Sequence, residues 1–165
     1  MSHKVHPYGY RLGISKNWNS RWFGAKDFPQ KLSQDVAIRE YLKKKLRSAG
    51  VERVELERSG NQISVIIHSS RPGIIIGRGG SGAEDLNYGI EKMLHKAMRG
   101  IQGAAPKIKV EIKEVRNAES AASLVGLNIA EQLERRMPFR RVIKRALERI
   151  MMNKEVKGAR IALAG

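Results

Sequence analysis

The chain has 165 residues, with 32 Lys+Arg against 16 Asp+Glu and a formal net charge of +16. A field of that sign steers a protein toward polyanions, while zero Cys excludes disulfides and thiolate metal sites. There is no apolar run of spanning length and no apolar h-region after Met1, so a membrane partner is disfavoured and a cytoplasmic location is expected. At 41% hydrophobic, the chain has the material for one or two small domains.

Residues 1–34 form a polar, basic and aromatic extension with little core of its own, broken by Pro7, Gly9, Gly13 and Gly24. Tyr8, Tyr10, Trp18, Trp22 and Phe23 alternate with Lys4, Arg11, Lys16 and Arg21. Rings interleaved with cations can stack on bases and pair phosphates; equally, such rings can pack on the neighbouring domain. Over residues 35–49, Ile38, Tyr41, Leu42, Leu46 and Ala49 make a helical stripe, with Arg39, Lys43, Lys44 and Arg47 on the other face and Gly50 placed to end it. Residues 51–58 alternate around Val54 and Leu56 and read as a strand. After the Ser59-Gly60-Asn61 turn, Ile63, Val65 and Ile67 mark a second strand over residues 62–69, stopped by Pro72 and Gly73.

A short helical piece through Ile74, Ile75 and Ile76 enters Gly77-Arg78-Gly79-Gly80, a GxxG turn. Ser81 follows, with Glu84 three residues on at capping-box spacing. A helix start there offers free N–H groups and a favourable dipole to an anion, the glycines allow close approach, and Arg78 adds a fixed charge. Taken alone the turn is only a glycine-rich connection. Ala83, Leu86, Ile90, Leu94 and Ala97 define the long helix that follows. A loop over residues 103–106 then leads to a third strand through Ile108, Val110 and Ile112.

In the last third, Asn117 is placed to cap a helix through Ala118, Ala121, Ala122, Val125, Ile129 and Leu133. Pro138 breaks the period. A second helix over residues 139–153 would bury Phe139, Val142, Ile143, Ala146, Leu147 and Ile150. Arg140, Arg141, Lys144 and Arg145 then share one side, because positions i, i+1, i+4 and i+5 do. That stripe can be a solvated face or a phosphate track; in a chain of this charge the track is favoured. Residues 157–163 read as a short strand.

The element order α-β-β-α-α-β, with the GxxG between the second and third helices, resembles a type II KH domain. The fold class expected is therefore α+β: a three-stranded sheet backed by helices over residues 35–116, then a mainly helical, shortened C-terminal domain over residues 117–165. The KH GxxG clamps about four nucleotides of backbone. Several segments also resemble the bacterial family of small-subunit ribosomal protein three. They are Lys4-Val5-His6-Pro7, Arg11-Leu12-Gly13-Ile14, Trp18-Asn19-Ser20-Arg21-Trp22-Phe23, Ile38-Arg39-Glu40-Tyr41-Leu42 and Arg71-Pro72-Gly73-Ile74-Ile75-Ile76-Gly77. The family usually carries two basic residues between the loop glycines, where this chain has Arg78 and Gly79, and it continues with further strands.

The resemblance implies a structural constituent of the small ribosomal subunit, located on the ribosome, with small-subunit rRNA, mRNA and neighbouring ribosomal proteins as partners. It implies rRNA contacts from the extension (Lys4, Tyr8, Arg11, Lys16, Trp18, Arg21 and Trp22). The loop Gly77, Arg78, Gly79, Gly80 and Ser81 would touch RNA. Phe139-Arg140-Arg141 with Lys144-Arg145 matches the segment that grips mRNA where it enters the subunit and helps open its secondary structure. The alternative is a free-standing single-strand RNA-binding KH protein, a regulator or assembly factor. A nucleotide-dependent enzyme is a third reading, since Gly77, Gly79 and Gly82 satisfy GxGxxG; that fingerprint needs a strand directly before it and an acidic residue about 20 positions on. Pro72-Gly73 interrupts the first and residues 97–103 lack the second. There is no GxxxxGK[ST]. His3, His6, His68 and His95 have no ligand spacing, so no catalytic residue, metal or cofactor is expected.

Overall fold

The computed structural model describes residues 3–97 and 106–164. Its elements run α1 (Pro7–Tyr10), β1 (Ser20–Arg21), α2 (Phe28–Lys45), β2 (Val51–Ser59), β3 (Gln62–Ser69), α3 (Pro72–Ile76), α4 (Ser81–Ala97), β4 (Lys107–Glu114), α5 (Ala122–Glu134) and α6 (Phe139–Met151). Single 3-10 turns follow α2 at Arg47–Ala49 and precede α4 at Arg78–Gly80.

The period-2 pattern sets the sheet. Val54, Leu56 and Arg58 of β2 face Ile67, Val65 and Ile63 of antiparallel β3. Ile63, Val65 and Ile67 face Ile108, Val110 and Ile112 of parallel β4. In-register apolar rows thus gather on one face, and the helices cover it. Ile38, Leu42 and Leu46 from α2, Ile75 from α3 and Leu86, Ile90 and Leu94 from α4 close the core against Leu56, Ile63, Val65 and Ile67. Each such side chain stabilises the fold by roughly 1.5–3 kcal/mol. Two glycines permit the close packing: a Cβ at Gly89 would stand 2.1 Å from the Tyr41 hydroxyl, and one at Gly82 would stand 2.4 Å from the Ile75 carbonyl oxygen.

Four features differ from the sequence expectation. The sheet has four strands, not three, in the order β1-β2-β3-β4: Ser20 and Arg21 add in parallel beside Leu56 and Glu57. A two-residue strand has no periodicity to detect. Helix α2 starts at Phe28, before its apolar stripe begins, and Gly50 ends the following turn with φ 61° as expected. Helix α5 starts at Ala122 with Ala121 at the cap. Residues 117–120 instead close a turn through the Ser120 N–H and hydroxyl on the Asn117 carbonyl, and the Asn117 side chain donates to Glu155 at 3.0 Å. Finally, residues 157–163 form no strand. The loop expected over residues 103–106 lies, except for Pro106, outside the described residues.

Helices α5 and α6 pack on each other. α6 buries Val142 and Ile150, with Ile143, Ala146 and Leu147 half-buried. Phe139, expected inside, is 54% exposed; its ring lies 5.7 Å from the Arg140 guanidinium instead. The turn between the two helices is closed by Met137 N–H on the Gln132 carbonyl (3.1 Å) and Arg136 N–H on the Leu133 carbonyl (2.8 Å). Such a helix end favours glycine at its left-handed position, yet Arg136 occupies it with φ 58°.

Candidate nucleic-acid interface

The glycine loop is built by packing on both sides. α3 is anchored by buried Ile75, and Gly77 (φ 70°), Gly79 (φ 63°) and Gly80 (φ 88°) take positive φ angles through the turn. Gly82 then lets α4 start directly against the end of α3. Ser81 is already helical and its hydroxyl donates to the Arg78 carbonyl at 3.0 Å, so the expected capping box is replaced by a bond across the 3-10 turn. Gly77, Arg78, Gly79 and Ser81 are exposed and Gly80 is half-buried. Arg78 pairs with no carboxylate among the described residues. A helix, not a strand, leads into the loop, so the setting required by the dinucleotide fingerprint is absent here.

The stripe on α6 is equally open. Arg140, Arg141, Lys144 and Arg145 are all exposed, and none has an ion-pair partner among the described residues. Arg140 and Arg141 occupy the first turn of α6, which holds no acidic residue. The positive end of the helix dipole disfavours cations there, by about 0.3–1 kcal/mol each, and an external anion relieves that cost.

The extension divides. Lys4, Lys16 and Trp18 are exposed, with no side-chain partner among the described residues, and Trp18 is 62% exposed. The other named residues each make a contact within the chain, with Arg11 and Arg21 still exposed. Tyr8 donates to the Asn17 carbonyl at 2.7 Å and Arg11 to the Pro7 carbonyl at 2.7 Å. Arg21 pairs with Glu55 and Glu57. The Trp22 indole N–H donates to Asp35 Oδ2 at 2.8 Å, and its ring packs 5.3 Å from Phe28. Of the two uses open to these rings, packing takes Trp22 and exposure leaves Trp18 available for stacking.

Sequence reading passed over the group that positions the extension. Asp35 is fully buried. Its Oδ2 accepts from Ser20 and Trp22, both at 2.8 Å, and its Oδ1 accepts from Arg58 Nε at 3.1 Å and Nη2 at 2.5 Å. Arg39, expected on the face opposite the apolar stripe, donates to the Asn19 carbonyl and the Ser20 hydroxyl. A signal was present: Asp35 lies three residues before Ile38, on the apolar side of α2, where a carboxylate needs a partner.

On the outer face of the sheet, His68 Nε2 lies 3.1 Å from Glu55 Oε1 and Arg53 Nε donates to the same oxygen at 2.8 Å. Burial alone would raise the Glu55 pKa; the Arg53 hydrogen bond and the charges of His68, Arg53 and Arg21 outweigh it and hold the carboxyl low. Burial and Arg53 push the His68 imidazole below its ordinary value. Among the described residues, no group of three or more His, Cys, Asp or Glu could hold a metal ion, and no helix is long and apolar enough to cross a membrane.

A KH-domain family model matches residues 37–120, from α2 through the glycine loop and past β4. The small ribosomal subunit protein uS3 of Maridesulfovibrio salexigens is 44% identical over 165 residues, covering all of this chain and 72% of that protein. The chain belongs to the uS3 family. The uS3 of Myxococcus xanthus is likewise 44% identical, with 70% of its length covered. That of Synechocystis is 43% identical over 166 residues, with 65% covered. Membership of the uS3 family, together with the KH match, agrees with the resemblance read from the loop and the extension.

Proposed function

We propose that this chain is a structural, RNA-binding constituent of the small ribosomal subunit, acting as a binder and not as a catalyst. Its working divisions are the extension (1–34), the KH unit (35–116) and the C-terminal hairpin (117–165). In this reading the extension and the glycine loop hold rRNA in the head of the subunit beside neighbouring ribosomal proteins. Arg140, Arg141, Lys144 and Arg145 line the place where mRNA enters, grip the incoming strand and help open its secondary structure.

One observation carries the mRNA assignment. Four cations stand on one side of a helix whose other side is packed, none of them ion-paired among the described residues, and two of them sit at the helix end where a cation is least favoured. That arrangement is relieved by a polyanion passing over it.

The test replaces Arg140, Arg141 and Lys144 together by Ala. Ala is the better helix former, so the hairpin stays folded and ribosomes assemble. Translation through a stable message hairpin slows more than translation of an unstructured message. An unchanged ratio of the two rates means that the stripe anchors rRNA or faces solvent. Sedimentation separates a free-standing KH protein from a subunit protein, which co-migrates with small subunits in salt that strips loose binders.

A further inference from the structure

A cleft of about 530 Å³ opens between the KH unit and the α5–α6 hairpin. Arg47 and Arg71 come from the KH side, and Arg135, Arg145 and Arg149 from the hairpin side. Two carboxylates, Glu119 and Glu131, also line it. Arg47 is bound to Glu134 across the junction, whereas Arg71, Arg135, Arg145 and Arg149 pair with no carboxylate among the described residues. Leu124 and Ile150 supply an apolar floor, and Leu124 approaches Gly50, where a Cβ would meet its methyl at 3.9 Å.

We propose that this cleft is a second RNA site, which receives a phosphodiester and the nucleotide attached to it. The volume falls within the range of pockets that enclose a small ligand, about 300–1,000 Å³. The unpaired arginines face it from two separate structural units, and the guanidinium fork suits a phosphate better than a point charge does. Arg141, Arg145 and Arg149 are spaced i, i+4, i+8, one face of α6. The exposed stripe therefore continues along the helix into the cleft, and one strand can follow both. The inference rests on the RNA-binding reading and adds a site that the α6 stripe alone does not require.

The chain has no cysteine, so a single introduced thiol reports on one place. In the full chain, Ser48→Cys puts it on the cleft wall, and Ser33→Cys puts it on exposed α2 away from the cleft. A 12-nucleotide oligouridylate is expected to slow modification of the first thiol by a water-soluble alkylating reagent and to leave the second unchanged. Arg71→Ala with Arg149→Ala is expected to weaken that oligonucleotide about ten-fold and to flatten the salt dependence by about 1.4, at about 0.7 per lost phosphate contact on single strands. Lys26→Ala with Lys154→Ala removes the same charge elsewhere and is expected to cost much less. If RNA binds with equal modification of both thiols, or if the two charge-removing variants lose affinity equally, the cleft is not a site. The α6 reading, which is tested by translation rates, then still stands. If the oligonucleotide does not bind at all, both readings fall.

Discussion

Asp35 and Arg58 meet in the interior, with the carboxylate fully buried and the guanidinium side chain 9% exposed. The two hydrogen bonds that Arg58 gives to Asp35 both fall on Oδ1, which leaves Oδ2 for Ser20 and Trp22 of the extension. One ion pair therefore joins α2, β2 and the N-terminal segment.

Removing one member of a buried pair strands the other, at a cost of about 3–5 kcal/mol. Asp35→Ala is expected to lower the unfolding free energy by that order. It should also free Trp22, so tryptophan emission shifts to the red before global unfolding. Denaturant titration followed by fluorescence and by circular dichroism checks both; coincident, unshifted transitions would show that the extension is held by other contacts.

At the glycine loop, Arg78→Asp with Gly79→Asp reverses the local charge. Asp is among the few residues that visit the left-handed conformation held by Gly79, and negative charge is tolerated near the start of α4. The fold is expected to survive. Affinity for a tetranucleotide, matched to the four-nucleotide KH clamp, should fall about ten-fold or more. Unchanged affinity would make the loop a structural turn.

The Glu55–His68 pair sets an acid limit. His68 titrates below 6.5 in the fold, so as pH falls beneath that value the unfolded chain takes up a proton that the native state refuses, and stability declines. Glu55 titrates below 4.5; its stabilisation is full above that value and is lost as pH drops through its native pKa. Both contributions make stability rise with pH. His68→Gln should reduce the loss between pH 7 and pH 5 and, by removing one of the charges that hold Glu55 low, should move the Glu55 step up toward its ordinary range, as measured by urea unfolding across both ranges.

The elements legible in advance were those whose apolar residues repeat: β2, β3, β4, α4 and α6 all follow their period, and the in-register rows Leu56–Val65–Val110 need nothing else. What escaped is non-periodic. β1 exists because Ser20 and Arg21 are held by Asp35, Arg39, Glu55 and Glu57, contacts from residues 15 to 36 positions away along the chain. The capping box looked valid by spacing and failed because Gly79 and Gly80 bend the chain into a 3-10 turn before Ser81. At the candidate interface, the α6 stripe was readable from helical spacing, whereas the cleft is not, since Arg71 and Arg149, 78 positions apart in the chain, line it together only in the folded molecule.

Arg136 keeps a left-handed conformation that costs a non-glycine residue about 1–2 kcal/mol. Arg136→Gly should raise the urea midpoint, corresponding to about 1 kcal/mol, while Arg136→Ala should not. Equal midpoints would show that the turn relaxes at no cost.

The sheet order carries a consequence for synthesis. The extension is synthesised before the residues that hold it: its strand pairs with Leu56 and Glu57, and its hub closes only when Arg58 is available. Until Arg58 has emerged, the Lys4-to-Phe23 segment lacks the surface on which it docks. During that interval Trp22 and Arg21, later occupied, are as free as Trp18 and Lys16. The newborn segment is thus a more extensive cationic, aromatic arm than the folded protein displays, and closure of the Asp35 hub decides which of its side chains remain available to an outside partner.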